Sequence, residues 1–491
     1  MSVTKVSPPP VAAGTPATAA GPWWVVAIVL VGSILDLLDA LVTTIAGPTI
    51  MRDLGGTQGF IQWLAAGYTV AMAAGLLIGG RLGDRYGRKR MFMIGLAGFT
   101  LASLVSAIAA TPETLIAARV LQGLLGALMV PQGLGLMKQV FPPDKLGVAF
   151  GLTGPVMALS GVAGPVVAGW LVDADYFGWG WRMIFAINVP IGVVTLIAAA
   201  FVLPRSRRQP ELTADVGGAV LAAAGMGGLI FALVQGRELG WPWWIFVVLV
   251  GSAAALAWFA LHQVRRGAKG RSTLVVPSLF GKRAFVSGLA VGLLFFGVMM
   301  GGSLVFSLFF QLGLGQSPLV SGLATIAQAA GMVVGFGLSQ KLGMTRRTMF
   351  VGFATVAVGL LGAIATVVLP EGAVNVWSLS PALAVVGIGS GLAIAPYFDI
   401  VLAGVDDAEI GSASGTLTAA QQTGNALGVS VLGTVFFAVL DAHQSDGGSA
   451  FATATWVATG ASLVAVAGAA LCALLLPRQA RHGGHGGPHG G

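Results

Sequence analysis

The chain has 491 residues, of which 56% are hydrophobic and only 9% charged. No soluble domain can hide that much apolar surface, so the composition excludes an ordinary cytosolic protein and points to a polytopic membrane protein. The formal charge of +8 does not indicate a nucleic-acid binder, because the bases sit in short loops between apolar runs, where they mark the inner face of a membrane.

Residues 1–22, rich in Pro and Ala, read as a disordered cytoplasmic tail without a signal-peptide pattern. Fourteen apolar runs follow, near 23–48, 60–83, 89–110, 114–138, 146–172, 182–203, 214–234, 243–263, 284–310, 317–340, 347–369, 378–403, 411–440 and 452–476. Each is about long enough for a transmembrane helix, which needs ~20 residues. Threaded from a cytoplasmic N-terminus, 22 of the 26 Lys and Arg residues fall on the cytoplasmic side. Arg52, Arg182 and Arg237 fall outside and Arg119 lies within a span, so both termini are expected in the cytoplasm. The one cysteine, Cys472, allows no intrachain disulfide.

Span 1 reads SILDLLDALVTTIAGPTI over 33–50, with two carboxylates, Asp36 and Asp39, three residues apart on one helix face. Taking the outer end at Pro48, Asp39 lies roughly 13 Å inside and Asp36 one turn deeper. A charge at that depth costs ~3 kcal/mol or more, so both are functional candidates. Trp63 and Tyr68 in span 2 are candidates for an apolar-aromatic cavity wall. Between spans 2 and 3 stands GRLGDRYGRKR over 80–90, in which Gly83 and Gly87 suit a sharp turn and Asp84 sits among five bases including Arg85 and Arg88. Span 4 carries Arg119 and Gln122 in LIAARVLQGLLGAL, with Arg119 near the depth of Asp39 and Gln122 a candidate to line a substrate cavity. Span 5 is punctuated by Gly154-Pro155, Gly161 and Gly164-Pro165, which suit very close, bendable helix packing. WRMIFAINVPIG opens span 6 at 181–192, where Trp179, Trp181 and Arg182 suit an interfacial anchor.

In the second half QKLGMTRR over 340–347 lies over DRYGRKRM at 84–91, with Gln340 where the first copy has Asp84. That offset fits a parallel repeat. It divides the chain into a six-helix bundle over 23–203, an inserted pair with a cytoplasmic linker over 204–283, a second six-helix bundle over 284–476 and a disordered tail over 477–491. Phe306, Phe310, Gln311, Gln421 and Asn425 are candidates to line a substrate cavity, and Asp399, the one acid within the second bundle's spans, is either a surface acid or a substrate contact. His482, His485 and His489 belong to a flexible Gly-rich tail, and neither a metal nor a cofactor is expected.

The 80–90 loop resembles the loop between spans two and three of the major facilitator superfamily. LDALVTTIAGP resembles the span-1 motif of its fourteen-span drug:proton antiporters, with Leu41 and Thr44 departing from that motif's Thr and Asn. RVLQG at 119–123, the Gly-Pro run of span 5, the opening of span 6, and FFQLGLGQSPLVSGL at 309–323 resemble further motifs of the same group. The resemblance implies an all-α major facilitator fold with two six-helix bundles and two inserted helices. It implies proton coupling through Asp36, Asp39 and Arg119, with Asp39 first, and a conformational latch at Gly80, Gly83, Asp84, Arg85, Gly87 and Arg88. In the related family the acid of this loop meets the start of the second bundle's fifth helix, here near Gly411. The run Gly154, Pro155, Gly161, Gly164 and Pro165 matches an exporter motif and favours export over uptake.

No GxxxxGK[ST] phosphate loop occurs, so ATP hydrolysis and enzyme activity are not expected. An arginine keeps its charge whereas a carboxylate can lose it, so acids beside Arg119 suit proton-driven secondary transport. The expectation is an antiporter in a bacterial inner membrane, exporting lipophilic or cationic drugs by alternating access, as a monomer and without nucleic-acid partners. A proton-coupled symporter of a metabolite and a non-transporting scaffold are the alternatives.

Overall fold

A computed structural model of the chain describes residues 21–141, 153–205, 215–368, 374–403, 405, 409–443 and 448–477. Both expected tails, with His482, His485 and His489, therefore lie almost wholly outside the described residues.

Among the described residues fourteen helices fall in the fourteen apolar runs. They are α1 (Pro22–Leu54), α2 (Gln58–Tyr86), α3 (Arg88–Ala107), α4 (Pro112–Val140), α5 (Thr153–Asp173), α6 (Gly180–Val202) and α7 (Val216–Glu238). Then come α8 (Trp243–Ala268), α9 (Arg283–Leu308), α10 (Pro318–Leu342), α11 (Arg346–Val367), α12 (Val376–Leu402), α13 (Ile410–Ala442) and α14 (Gly448–Ala473). Among the described residues thirteen are long and apolar enough to cross a membrane, and α5 contributes a shorter apolar stretch, Ala163–Asp173. Local chemistry sets several starts. Thr111, Ser317, Thr345 and Asn375 each accept a hydrogen bond from the backbone N–H three residues on, satisfying a donor that the first helical turn leaves free. The ends that carry the 80–90 loop and the 265–283 linker form one basic face.

Pro48 does not end α1, as the sequence led us to expect; the helix runs on to Leu54. A proline lacks the N–H that would bond the carbonyl four residues back, which here is Thr44. That carbonyl is bonded from another helix: Ser307 Oγ of α9 donates to Thr44 O at 2.8 Å, and Gln311 Nε2 donates to Ile45 O at 2.8 Å. The consequence is that Asp39 lies farther from the end of its helix than the Pro48 boundary implied.

Helices α1–α6 and α9–α14 build two packed halves, each with its own apolar clusters. Close crossings in both rest on glycine. A Cβ on Gly123 of α4 would stand 2.2 Å from Tyr68 O of α2, and one on Gly387 of α12 would stand 1.9 Å from Gln328 O of α10. These two crossings occupy equivalent places in the repeat. The inserted α7 packs on α2 and α13 through Ile230, Val234 and Met226. By contrast α8 leaves Trp243, Phe246, Val247, Val250 and Trp258 exposed, as a lipid-facing helix does.

The halves meet at Met72, Leu76 and Ala127 against Ala419 of α13, and their polar bonds lie away from the basic face. Besides the α1–α9 bonds, Gln58 Nε2 donates to Asp441 Oδ1 of α13 at 3.3 Å. The backbone N–H of Leu319 donates to Asp173 Oδ2 at 3.2 Å where α10 meets α5. A Cβ on Gly169 of α5 would stand 2.5 Å from Pro318 O, and one on Gly322 of α10 would stand 2.4 Å from Pro165 O.

Candidate functional site

Four helices of the first half converge on the two intramembrane acids. Helix α4 starts on the Thr111 cap with Pro112 at its first position, and two turns later it presents Arg119 and, one turn on, Gln122. Arg119 is fully buried and Asp39 is 1% exposed. The guanidinium donates through Nη1 to Asp39 Oδ2, through Nη2 to the Asp39 carbonyl at 3.3 Å, and through Nε to Leu64 O at 3.4 Å. Two amides take the other carboxylate oxygen: Gln122 Nε2 donates to Asp39 Oδ1 at 2.9 Å and Asn188 Nδ2 of α6 at 3.0 Å. Arg119 Nη1 also donates to Gln122 Oε1 at 2.8 Å, and Gln122 Nε2 donates to Ser103 Oγ at 2.8 Å. A buried charge is tolerable only when paired and fully hydrogen-bonded, and this cluster meets that condition.

Asp36 stands one turn along α1, half-buried, and accepts at Oδ1 from the Tyr68 hydroxyl of α2. The Tyr68 ring lies under the Arg119 guanidinium, 4.3 Å from ring centre to Cζ, so the two acids are linked through a cation–π contact. Gly126 of α4 makes room for the Asp36 carboxylate; a Cβ there would stand 3.0 Å from Oδ1.

The fold brings Asp36, Asp39 and Arg119 together and gives two of their neighbours surroundings other than those expected. Gln122 and Tyr68, expected on a substrate wall, are both fully buried and engaged with the acids. Asn188, in the run that opens span 6, is a third neighbour, to which the sequence assigns no role. Its signal was available: a lone amide in an otherwise apolar helix has to find a partner.

The remaining substrate candidates fall in separate environments. Trp63 packs on Phe231 of the inserted α7, with ring centres 6.2 Å apart. Phe306 and Phe310 stack 6.3 Å apart and line a small cavity with Ser303, Ser321, Thr325 and Gln328. Gln311 is spent on the α1–α9 crossing. Gln421 and Asn425 are partly exposed on α13, where Asn425 Nδ2 donates to Gln422 Oε1 at 2.8 Å. Asp399 is exposed near the basic face.

In the 80–90 loop Gly87 turns the chain with φ 99°, a conformation that favours glycine. A Cβ on Gly83 would collide with the Gln132 amide, whereas Gly80 makes an ordinary contact with Pro131. Arg85 lies over the Tyr86 ring at 5.2 Å. Asp84 is turned onto Arg88 at 2.9 Å, within its own loop. The start of α13 is met by the linker: Glu409 accepts from Ser278 and, at 2.9 Å, from Lys282, while Ser412 Oγ accepts from Val276 N–H at 3.4 Å. Arg81 holds the same linker by donating to Thr273 O at 3.3 Å.

Of the span-5 residues, Gly164 faces Leu38 and Leu41 of α1, with a Cβ 3.2 Å from the nearer, and Pro165 touches α10 at Gly322. A Cβ on Gly161 would meet open space. Gly154 and Pro155 are helical, but their surroundings lie outside the described residues. Trp181 is not the interfacial anchor expected: it is 2% exposed, and its Nε1 and Arg182 Nη1 donate to Asp53 at 2.8 and 2.6 Å.

Two helical halves around buried, mutually neutralising charges at mid-depth define a multi-pass membrane transporter rather than an enzyme. The chain belongs to the Major Facilitator Superfamily, whose family model matches residues 28–429. It is 46% identical over 463 residues to the probable actinorhodin transporter of Streptomyces coelicolor, covering 91% of this chain and 80% of that one. It is 31% identical over 451 residues to the tetracenomycin C resistance and export protein of Streptomyces glaucescens, covering 89% and 80%. In fold it is similar to an auto-inhibited POT-family peptide transporter, with TM-score 0.68, 15% identity, and 93% and 98% of the two chains covered.

Proposed function

We propose that this protein is a proton-driven antiporter that exports antibiotic-like small molecules from a bacterial cell by alternating access. The observation that carries the reading is the Asp36–Tyr68–Arg119–Asp39 cluster, in which carboxylates sit beside a cation that cannot lose its charge. Two of the relatives are named for actinorhodin and for tetracenomycin C export, which supports export and a drug-like substrate. The two halves, 23–203 and 284–476, rock about the cluster, with α7 and α8 riding on α2 and α13 and the basic face in the cytoplasm. The 80–90 loop serves as the latch on that face, and the Gly164-Pro165 packing keeps the path tight to protons. Phe306, Phe310, Gln421, Asn425 and Asp399 are the substrate contacts proposed for the second half.

Expression in a pump-deficient bacterial host tests export, and everted vesicles test the coupling. Addition of an exported drug is expected to release protons from vesicles holding an imposed pH gradient. Accumulation of drug in cells together with protons would instead establish the symporter, and absence of any flux would leave only the scaffold.

A further inference from the structure

Resting on the proton-driven reading above, we propose that Asp36, hydrogen-bonded to Tyr68, is the side chain that takes up and releases the coupled proton, while Asp39 is a permanently ionised anchor for Arg119, held by Gln122 and Asn188. This reverses the order expected from the sequence, which put Asp39 first.

Donor and acceptor accounting makes the distinction. Asp39 Oδ2 accepts from Arg119, and Asp39 Oδ1 accepts from both Gln122 and Asn188. Each of these neighbours presents N–H groups, which cannot accept a proton's hydrogen bond. A proton placed on either Asp39 oxygen would point at a donor. Of the two amide carbonyls, Gln122 Oε1 already accepts from Arg119. A turned amide could accept from a protonated Asp39, but the fully buried Arg119 would then be left without its anion, which is the costly arrangement. Asp39 is also 1% exposed, so water has no route to it.

Asp36 differs on each count. As a residue it is half-buried, where Asp39 is sealed. Its partner is a hydroxyl, which donates or accepts as the occasion requires. With Asp36 ionised, the Tyr68 hydroxyl donates to Oδ1. With Asp36 protonated, the new O–H donates to the Tyr68 oxygen, and the Tyr68 proton turns to the Asp36 backbone carbonyl, which stands 3.5 Å away. The contact therefore survives both states without an orphaned group. The titratable and charged groups facing Asp36 among the described residues are Asp39 of α1, Tyr68 of α2 and Arg119 of α4; Asn188 of α6 is neutral. The chemistry balances simply. An O–H bond forms on Asp36 as a hydronium ion gives up its proton and returns to water, and the bond breaks to water on the other side once the halves have rocked. Asn188 and Gln122 are positioning residues, since they act through Asp39.

Two measurements on the reconstituted full chain test this. In the first, proteoliposomes report drug accumulation driven by an imposed pH gradient, and separately drug counterflow without a gradient. Asp36→Asn is expected to lose the driven accumulation and keep the counterflow. In the second, infrared difference spectra follow the C=O stretch of a protonated carboxylic acid through a pH titration. That band is expected to vanish in Asp36→Asn and to change midpoint in Tyr68→Phe, a response that a merely structural hydroxyl would not give. Asp39→Asn alone strands Arg119 and is expected to lower the folded yield, so the paired variant Asp39→Asn/Arg119→Gln carries that arm and is expected to retain the band. Driven accumulation surviving in Asp36→Asn, or a band lost with Asp39 and kept without Asp36, overturns the assignment. If the parent protein shows no proton-driven flux, the reading of function fails, and the infrared arm still decides which acid titrates.

Discussion

Gln62 offers a quantitative test of how the two halves separate. It lies on α2, fully buried, and neither its amide nitrogen nor its amide oxygen has a hydrogen-bond partner among the described residues. The amide sits against α13, where a Cβ on Gly433 would stand 2.2 Å from Nε2. A buried polar group left unpaired costs about 1–3 kcal/mol. In a conformation whose halves part on the side away from the basic face, water would reach that amide and remove the penalty. Gln62→Met fills a similar volume with no polar atoms, so it relieves the closed arrangement alone. Taking about 2 kcal/mol for the two atoms together, the substitution shifts the equilibrium about thirtyfold toward the arrangement seen here. The assay is electron–electron distance measurement between spin labels near Gln58 and Asp441, in a variant whose single cysteine, Cys472, has been replaced. The open-side population is expected to fall and transport to slow. An unchanged distance distribution, or a shift toward the open state, would show that Gln62 is not the strained group deduced from its burial.

Three further perturbations follow from the packing and the charges. Gly164→Leu forces α1 away at Leu38 and Leu41, and proteoliposomes carrying it are expected to lose a pH gradient faster than the parent while still binding drug; equal retention would refute the seal. Asp84→Asn removes the Arg88 pair and the acid of the proposed latch, and labels across the basic face are expected to report a larger open population there. At the start of α7, burial alone would raise the Asp215 carboxyl, but bonds from His262, the Gly218 N–H and Gln263, with the charge of Arg266, hold it below the usual aspartate range. A lowered folded value means that its stabilisation is present above the unfolded range and is lost as pH falls through the folded value. Thermal unfolding of the parent should therefore weaken on acidification more steeply than that of Asp215→Asn, and parallel curves would refute the cluster's role.

What the sequence alone determined was whatever each helix carries by itself. Hydropathy adds along the chain, so the fourteen spans were legible one at a time, as were the asymmetry of bases and the cost of placing Asp36, Asp39 and Arg119 in hydrocarbon. The glycine spacing announced close contact without naming the partner. What only the tertiary structure decided was pairing between helices distant in sequence. The role of Asn188 depends on α6 lying beside α1, and Gln122 turns to Asp39 rather than to a cavity because α4 faces α1 at that depth. Local rules end α1 at Pro48, yet the helix continues because Ser307, 263 residues away, donates to the carbonyl that the proline leaves free. A hydrogen bond has a direction and a length of about 3 Å, so which donor meets which acceptor is settled by how helices cross. That geometry, and not the presence of two acids, separates the one held by an arginine and two amides from the one held by a hydroxyl.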